Sequence, residues 1–184
     1  MQRFLITLAF VFGLQVEAAE LRPCFTPGQD CLAVIVSEID GAKTELLVQA
    51  YGFTSPAIIQ AIVKAKERGV NVDVLLDKIN ERRQYTGATY LVNHGIEPRI
   101  DFKVAIAHNK VIVIDGQTVV TGSFNFTTAA QQRNAENVIV IQNDVAIANA
   151  YSENFYRRAI VSRPYNDFRG RRSAPEADAN EPKQ

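Results

Sequence analysis

Residues 110–122, KVIVIDGQTVVTG, constrain this chain more than any other segment. Two β-branched apolar stretches flank Asp115-Gly116, and an Asp-Gly pair supplies the left-handed residues of a tight turn whose twist matches the flanking strands. The segment therefore reads as a β-hairpin in which 111–114 returns as 118–121. Strand side chains alternate between faces, so His108 and Lys110 in HNKVIVID project together while Asp115, of opposite parity, projects away. Just beyond the hairpin, Gly122-Ser123-Phe124-Asn125 offers two more polar side chains at the same two-residue spacing.

Around the hairpin, helical and strand periodicities alternate. Residues 32–39 read as helix, 45–51 as strand, 56–68 as an amphipathic helix opened by Ser55 as its cap and closed by Gly69, and 70–76 as strand. Residues 85–93 read as helix, 98–102 as a short strand, 127–132 as a short helix, 137–141 as strand and 144–160 as the last helix. This order predicts an α/β fold, an α/β/α sandwich around a central mixed β-sheet, with antiparallel pairing at the hairpin. The YGFTS segment at 51–55 reads as scaffold, and no internal repeat or phosphate-binding glycine loop occurs.

The ends of the chain differ from its middle. Residues 1–18 carry Arg3, an apolar stretch of 11 residues from Phe4 to Leu14 and small residues at Val16 and Ala18, the layout of a secretory signal peptide cleaved after Ala18. That stretch is well short of the roughly 20 residues that span a bilayer, so the expected product is exported to a periplasm or secreted, without a stable membrane anchor. A single catalytic domain is expected over 19–161. From Ser162 to Gln184 the sequence turns to Pro, Arg, Asp, Asn and Glu without apolar period, as in a disordered polar tail. The C-terminal arginines, Arg157, Arg158, Arg163, Arg169, Arg171 and Arg172, read as a solvated surface. Cys24 and Cys31 are the only cysteines, with Pro27-Gly28 as a turn between them, and in an oxidising compartment they are expected to form a disulfide. A zinc site is not expected from two cysteines and two distant histidines. Formal net charge is zero and stays zero when Arg3 and Glu17 leave with the leader, so bulk charge does not argue for nucleic acid.

The clustered residue types suit attack on a phosphodiester. Neutral imidazole is a nucleophile near neutral pH, and a phosphohistidine would split one difficult displacement into two easier ones. Lys110 would hold a non-bridging oxygen, and Ser123 and Asn125 can donate to the same group. No metal or other cofactor is needed for these steps.

HNKVIVID, followed by GSFNFT and by Glu136 in NAEN, resembles the phospholipase D superfamily, and within it the small bacterial endonuclease branch with one such motif per chain. The resemblance covers roughly residues 24–161. It implies His108 as nucleophile and Lys110, Ser123 and Asn125 as phosphate ligands, in a reaction without metal. It also implies a second histidine acting as acid and then base. His94 lies in LVNHGIEP, at the end of a helix with no lysine at the required offset, so the second histidine is expected from another copy, in a homodimer that meets at the motif hairpin. A site that uses two histidines in opposite protonation states would have a bell-shaped pH dependence.

Asp115 completes the candidate catalytic set by its place in the motif, while its turn position allows a structural hydrogen bond equally and its parity favours that structural role. Glu136, which has no obvious local partner, is a candidate to orient the imidazole through its other ring nitrogen, the alternative being a strand-edge acid. The resulting expectation is a non-specific endonuclease on DNA, with RNA as a further substrate. The alternative is a phospholipase D that hydrolyses or exchanges phospholipid head groups, mildly disfavoured by the absence of tryptophan. A binding module that kept the pocket without turnover is disfavoured by the complete set of His108, Lys110, Ser123 and Asn125.

Overall fold

The computed structural model describes residues 18–81 and 86–165. The leader, apart from Ala18, and residues 166–184 of the proposed tail lie outside the described residues. Among the described residues, eight strands form one sheet in the order β1-β7-β6-β5-β2-β3-β4-β8. They are β1 (Glu20–Thr26), β2 (Glu45–Ala50), β3 (Asn71–Asp77), β4 (Arg99–Asp101), β5 (Lys110–Ile114), β6 (Thr118–Gly122), β7 (Glu136–Gln142) and β8 (Arg163–Pro164). Strands β2, β3 and β4 are parallel, and every other neighbour is antiparallel. The mixed sheet expected from the alternating pattern is present.

Helices cover both faces, unequally. Helices α1 (Cys31–Gly41), α2 (Pro56–Glu67), α3 (Gly87–Asn93) and α4 (Thr128–Gln132) contribute Ile35, Ile39, Ile58, Ile62, Leu91 and Ala130 to the larger core, against Leu46, Val48, Val74, Ile112 and Val120 of the sheet. Helix α5 (Val145–Ile160) covers the other face with Ala148 and Phe155, against Leu47, Leu75, Val111, Val113 and Val119. Central strands β2 and β5 are buried on both faces, which is why they read as continuous apolar runs rather than as alternating ones.

The hairpin has the turn its sequence demands. Asp115 and Gly116 take φ of 52° and 64°, and Gln117 N–H donates to the Ile114 carbonyl at 3.1 Å, closing the turn. Asp144 and Thr127 cap α5 and α4 through side-chain oxygens that accept from Ile147 N and Ala130 N. Ser55 occupies the cap position of α2, but its hydroxyl makes no capping bond and is buried without a partner; its backbone N–H donates to the Phe126 carbonyl instead. The helix opened there is held by the loop after β6 rather than by its own cap.

Two elements lie where no regular structure was expected. β1 is an edge strand with Pro23 in it, and only Cys24 and Thr26 are buried, so it lacks the alternation that marks a strand. It is fastened by the Cys24–Cys31 disulfide to α1. At the other end the fold continues past 161. Ser162 is buried, Arg163 in β8 pairs with the largely buried Glu81, and the buried Tyr165 shares a hydrogen bond with Thr89 at 2.9 Å. The expected polar tail therefore starts at least four residues too early. Arg158 is likewise no free surface charge, since its guanidinium forks onto the fully buried Asp101 at 2.7 and 2.8 Å.

Candidate active site

The sheet directions bring the motif residues to one end. β5 runs antiparallel to β2, β6 to β5, β7 to β6 and β1 to β7, so the starts of β5 and β7 meet the ends of β1, β2, β3 and β6. Register pairs Ala50 with Lys110, and Thr26 with Glu136. His108, Lys110, Ser123, Asn125 and Glu136 therefore gather at this end of the sheet. Asp115 lies at the other end of β5, about 20 Å away at strand rise.

His108 is exposed and Lys110 is buried, 6 % accessible. The Lys110 ammonium donates to the His108 carbonyl at 2.6 Å, which leaves two N–H groups for a ligand. Burial pushes the Lys110 pKa down, against the opposing pull of the Glu136 carboxylate. The loop that delivers His108 is fixed from below by Asp77, whose buried carboxylate accepts from Ala107 N at 2.7 Å and from Ile79 N at 2.8 Å. Lys78 adds a bond to the Val104 carbonyl at 3.1 Å.

On the other side, Gly122 is dictated by close approach: a Cβ there would stand 2.1 Å from the Asn137 carbonyl oxygen of β7. This contact places Ser123 beside Glu136. The Ser123 hydroxyl donates to Glu136 Oε2 at 2.6 Å and accepts from Asn137 N at 3.0 Å, and Asn134 Nδ2 donates to Glu136 Oε1 at 2.8 Å. Glu136 thus holds the Ser123 loop and Asn134, and among the described residues its carboxylate bonds are to these rather than to the imidazole. Ser123 likewise gives its hydroxyl proton to Glu136, so it can donate to a phosphate only by leaving that bond. Asn125 is half-buried, with a buried Oδ1 that has no protein partner.

Asp115 resolves in favour of its structural reading. Its carboxylate accepts from Lys43 N, Thr44 N, Thr44 Oγ1 and Glu45 N at 2.8–3.2 Å. Burial alone would raise its pKa, but the Glu45, Thr44 and Lys43 bonds outweigh it and hold the group below the usual carboxylate value. A depressed carboxylate contributes stability above its unfolded pKa and loses it as pH falls through the folded one. Asp115→Ala is expected to destabilise the fold by about 1–3 kcal/mol at neutral pH, with the difference shrinking toward acid. Thermal melts at pH 7 and pH 3 check this, and an unchanged melting temperature with a collapsed kcat would return Asp115 to the chemistry.

His94 stands at the C-terminal end of α3, its Nδ1 bonded to the Tyr90 carbonyl at 2.8 Å and its ring stacked on Tyr90, as expected of a helix-end histidine. Sequence reasoning missed three residues that build the site. Thr26 accepts from Glu136 N and donates to the Asn134 carbonyl, each at 3.0 Å. Asp77 anchors the His108 loop. Tyr51, assigned to scaffold, packs its ring against the imidazole with centroids 4.7 Å apart. The signal for Asp77 and Tyr51 was position alone: both stand at or just past the carboxyl end of a parallel strand, where open α/β sheets put their ligands.

Comparison with known proteins bears on this geometry. A family model described as "Cardiolipin synthase, PLD-like domain" matches residues 35–159. A "Phospholipase D" of Rickettsia bellii is 43% identical over 144 residues, covering 78% of this chain and 71% of that protein. A "Mitochondrial cardiolipin hydrolase" of Xenopus laevis is 32% identical over 160 residues, covering 80% of this chain and 74% of that one. The crystal structure of a phospholipase D family member, Nuc from Salmonella typhimurium, superposes with a TM-score of 0.77 at 37% identity, covering 82% of this chain and all of that one. The chain belongs to the phospholipase D superfamily and is a phosphodiesterase.

Proposed function

We propose that the protein is an exported, metal-independent endonuclease that cleaves DNA, and RNA as a second substrate, in a site shared by two copies of the chain. The observation that carries this reading is the surface onto which His108 opens. Ser123 and Asn134, both exposed and polar, stand with Glu136 at that end of the sheet, a surface suited to a solvated polymer backbone. In the first step a His108 ring nitrogen forms a bond to phosphorus and the P–O bond to the leaving oxygen breaks. That oxygen takes its proton from His108 of the partner subunit. Water then attacks phosphorus, gives its proton to the same histidine, and the P–N bond breaks. Lys110 carries charge on a non-bridging oxygen throughout.

A phospholipid substrate is the second reading, favoured by Ile106, two residues before His108 and 57% exposed, and by the exposed Ile79 and Phe102. The names of the Rickettsia and Xenopus relatives point the same way. The two readings separate in one experiment with excess EDTA, in which mature protein meets supercoiled plasmid and, in parallel, vesicles of phosphatidylcholine and cardiolipin. Nicking of plasmid with vesicles intact is the expected result. Head-group release with plasmid intact would replace the nuclease reading with the lipid one.

A further inference from the structure

Tyr51 holds a place that neither the motif nor the reaction assigns. Three contacts close a triangle at the centre of the site. The Lys110 ammonium donates to the His108 carbonyl, the His108 ring packs on the Tyr51 ring at 4.7 Å with an interplanar angle of 60°, and the Lys110 ammonium lies 5.4 Å from the centroid of that same ring. One aromatic ring therefore touches both the candidate nucleophile and the candidate phosphate cation.

The ring is itself fixed. Tyr51 N–H donates to the Asn109 carbonyl at 3.1 Å, between the two motif residues, and the Tyr51 carbonyl accepts from Nδ2 of the buried Asn80 at 2.9 Å. The next residue is closely packed, since a Cβ on Gly52 would stand 3.1 Å from Thr127 Cγ2 and 3.2 Å from Asn125 Cβ, room only if those side chains give by a few tenths of an ångström. The Tyr51 backbone is thus clamped between the motif strand, the 3-10 turn at Lys78–Glu81 and the loop that carries Asn125.

We infer that Tyr51 is a positioning residue for the phosphodiesterase reaction, its ring serving as one platform that sets the imidazole's angle and holds the ammonium against its face. The chemistry fits each contact. An aromatic face attracts a cation, most strongly where the cation has lost water, as Lys110 has. A tilted ring pair restrains a side chain that would otherwise turn freely in solvent, as an exposed histidine does. The charged group facing the ammonium is Glu136 from β7, while His108 presents its main-chain carbonyl. The ring requires its π face and not its hydroxyl for this role.

The inference rests on His108 and Lys110 acting as nucleophile and phosphate cation, and the test separates the two ideas. Turnover of bis(p-nitrophenyl) phosphate, which carries neither a base nor a lipid, is measured for wild type, Tyr51→Phe, Tyr51→Leu, Tyr51→Met and His108→Asn, each with a thermal melt. Tyr51→Phe is expected within about twofold of wild type, and the Leu and Met proteins are expected to lose about tenfold or more in kcat while folded at the assay temperature. Inorganic phosphate should also inhibit the Leu and Met proteins less well, because the cation is less firmly placed. Two aliphatic variants are used so that failure of one to fold does not end the test. Wild-type kcat in the folded Leu or Met protein would overturn the platform. A Phe protein as impaired as the Leu protein would also overturn it, since the hydroxyl would then be the working group. An active His108→Asn protein would overturn the nucleophile assignment and this inference with it.

Discussion

His108→Asn is expected to lower kcat on phosphodiester substrates by at least about 1,000-fold while moving stability by no more than about 0.5 kcal/mol. The two parts of this result have different causes. Asparagine cannot form the phosphoramidate bond, so the covalent route is closed, and in a shared site the general acid is lost at the same time. Stability is spared because the His108 side chain is exposed and packs on the Tyr51 ring, while the bond that ties it to Lys110 comes from its main-chain carbonyl and survives substitution. Circular-dichroism melts beside steady-state kinetics test both parts. A loss of activity that tracks a loss of folded protein would mean that His108 is structural.

Lys110→Met carries the second large effect. Removing the fixed cation from beside the transferring phosphoryl group is expected to lower kcat by about 100- to 1,000-fold. The same change should leave the melting temperature unchanged or raise it. Burial disfavours the ammonium, as its lowered pKa records, and methionine fills a similar volume without that cost. The sign can be followed in pH. The folded pKa lies below the lysine value of the unfolded chain, so between the two the unfolded state binds more protons and wild-type stability rises with pH. Lys110→Met removes that rise. Wild-type kcat should also fall on the alkaline side before free lysine would titrate. A methionine protein that is both fully active and less stable than wild type would contradict the placing of Lys110 as a buried, functional cation.

Much of this was legible in the sequence, and the failures share a physical cause. The hairpin was readable because Asp115-Gly116 has few conformational options, while Asp115 is parted from His108 and Lys110 by the length of β5. Helices α2 and α5 were readable from their apolar stripes and came out within a residue or so of the expected ends. β1 and β8 were not readable because edge strands bury one side chain in two at most and owe their pairing to distant β7 and β4. The site divides the same way. His108, Lys110, Ser123 and Asn125 follow local spacing. Tyr51, Asp77 and Thr26 enter only because three other strands end where β5 begins, a matter of topology that local pattern does not carry. Glu136 shows the limit most clearly: its position in the site was foreseen, but its partners were not, since Ser123 reaches it only because Gly122 lets β6 press against β7.

A site shared between two copies follows from the single histidine that one chain offers at this end of the sheet. It is tested most directly by a mixed dimer in which one copy is wild type and the other His108→Asn, co-expressed with two different tags and isolated through both. A folded mixed dimer with no turnover above the His108→Asn homodimer is expected, since attack and proton transfer need a histidine from each copy. Activity near half that of the wild-type dimer would mean that each chain works alone, and would contradict it.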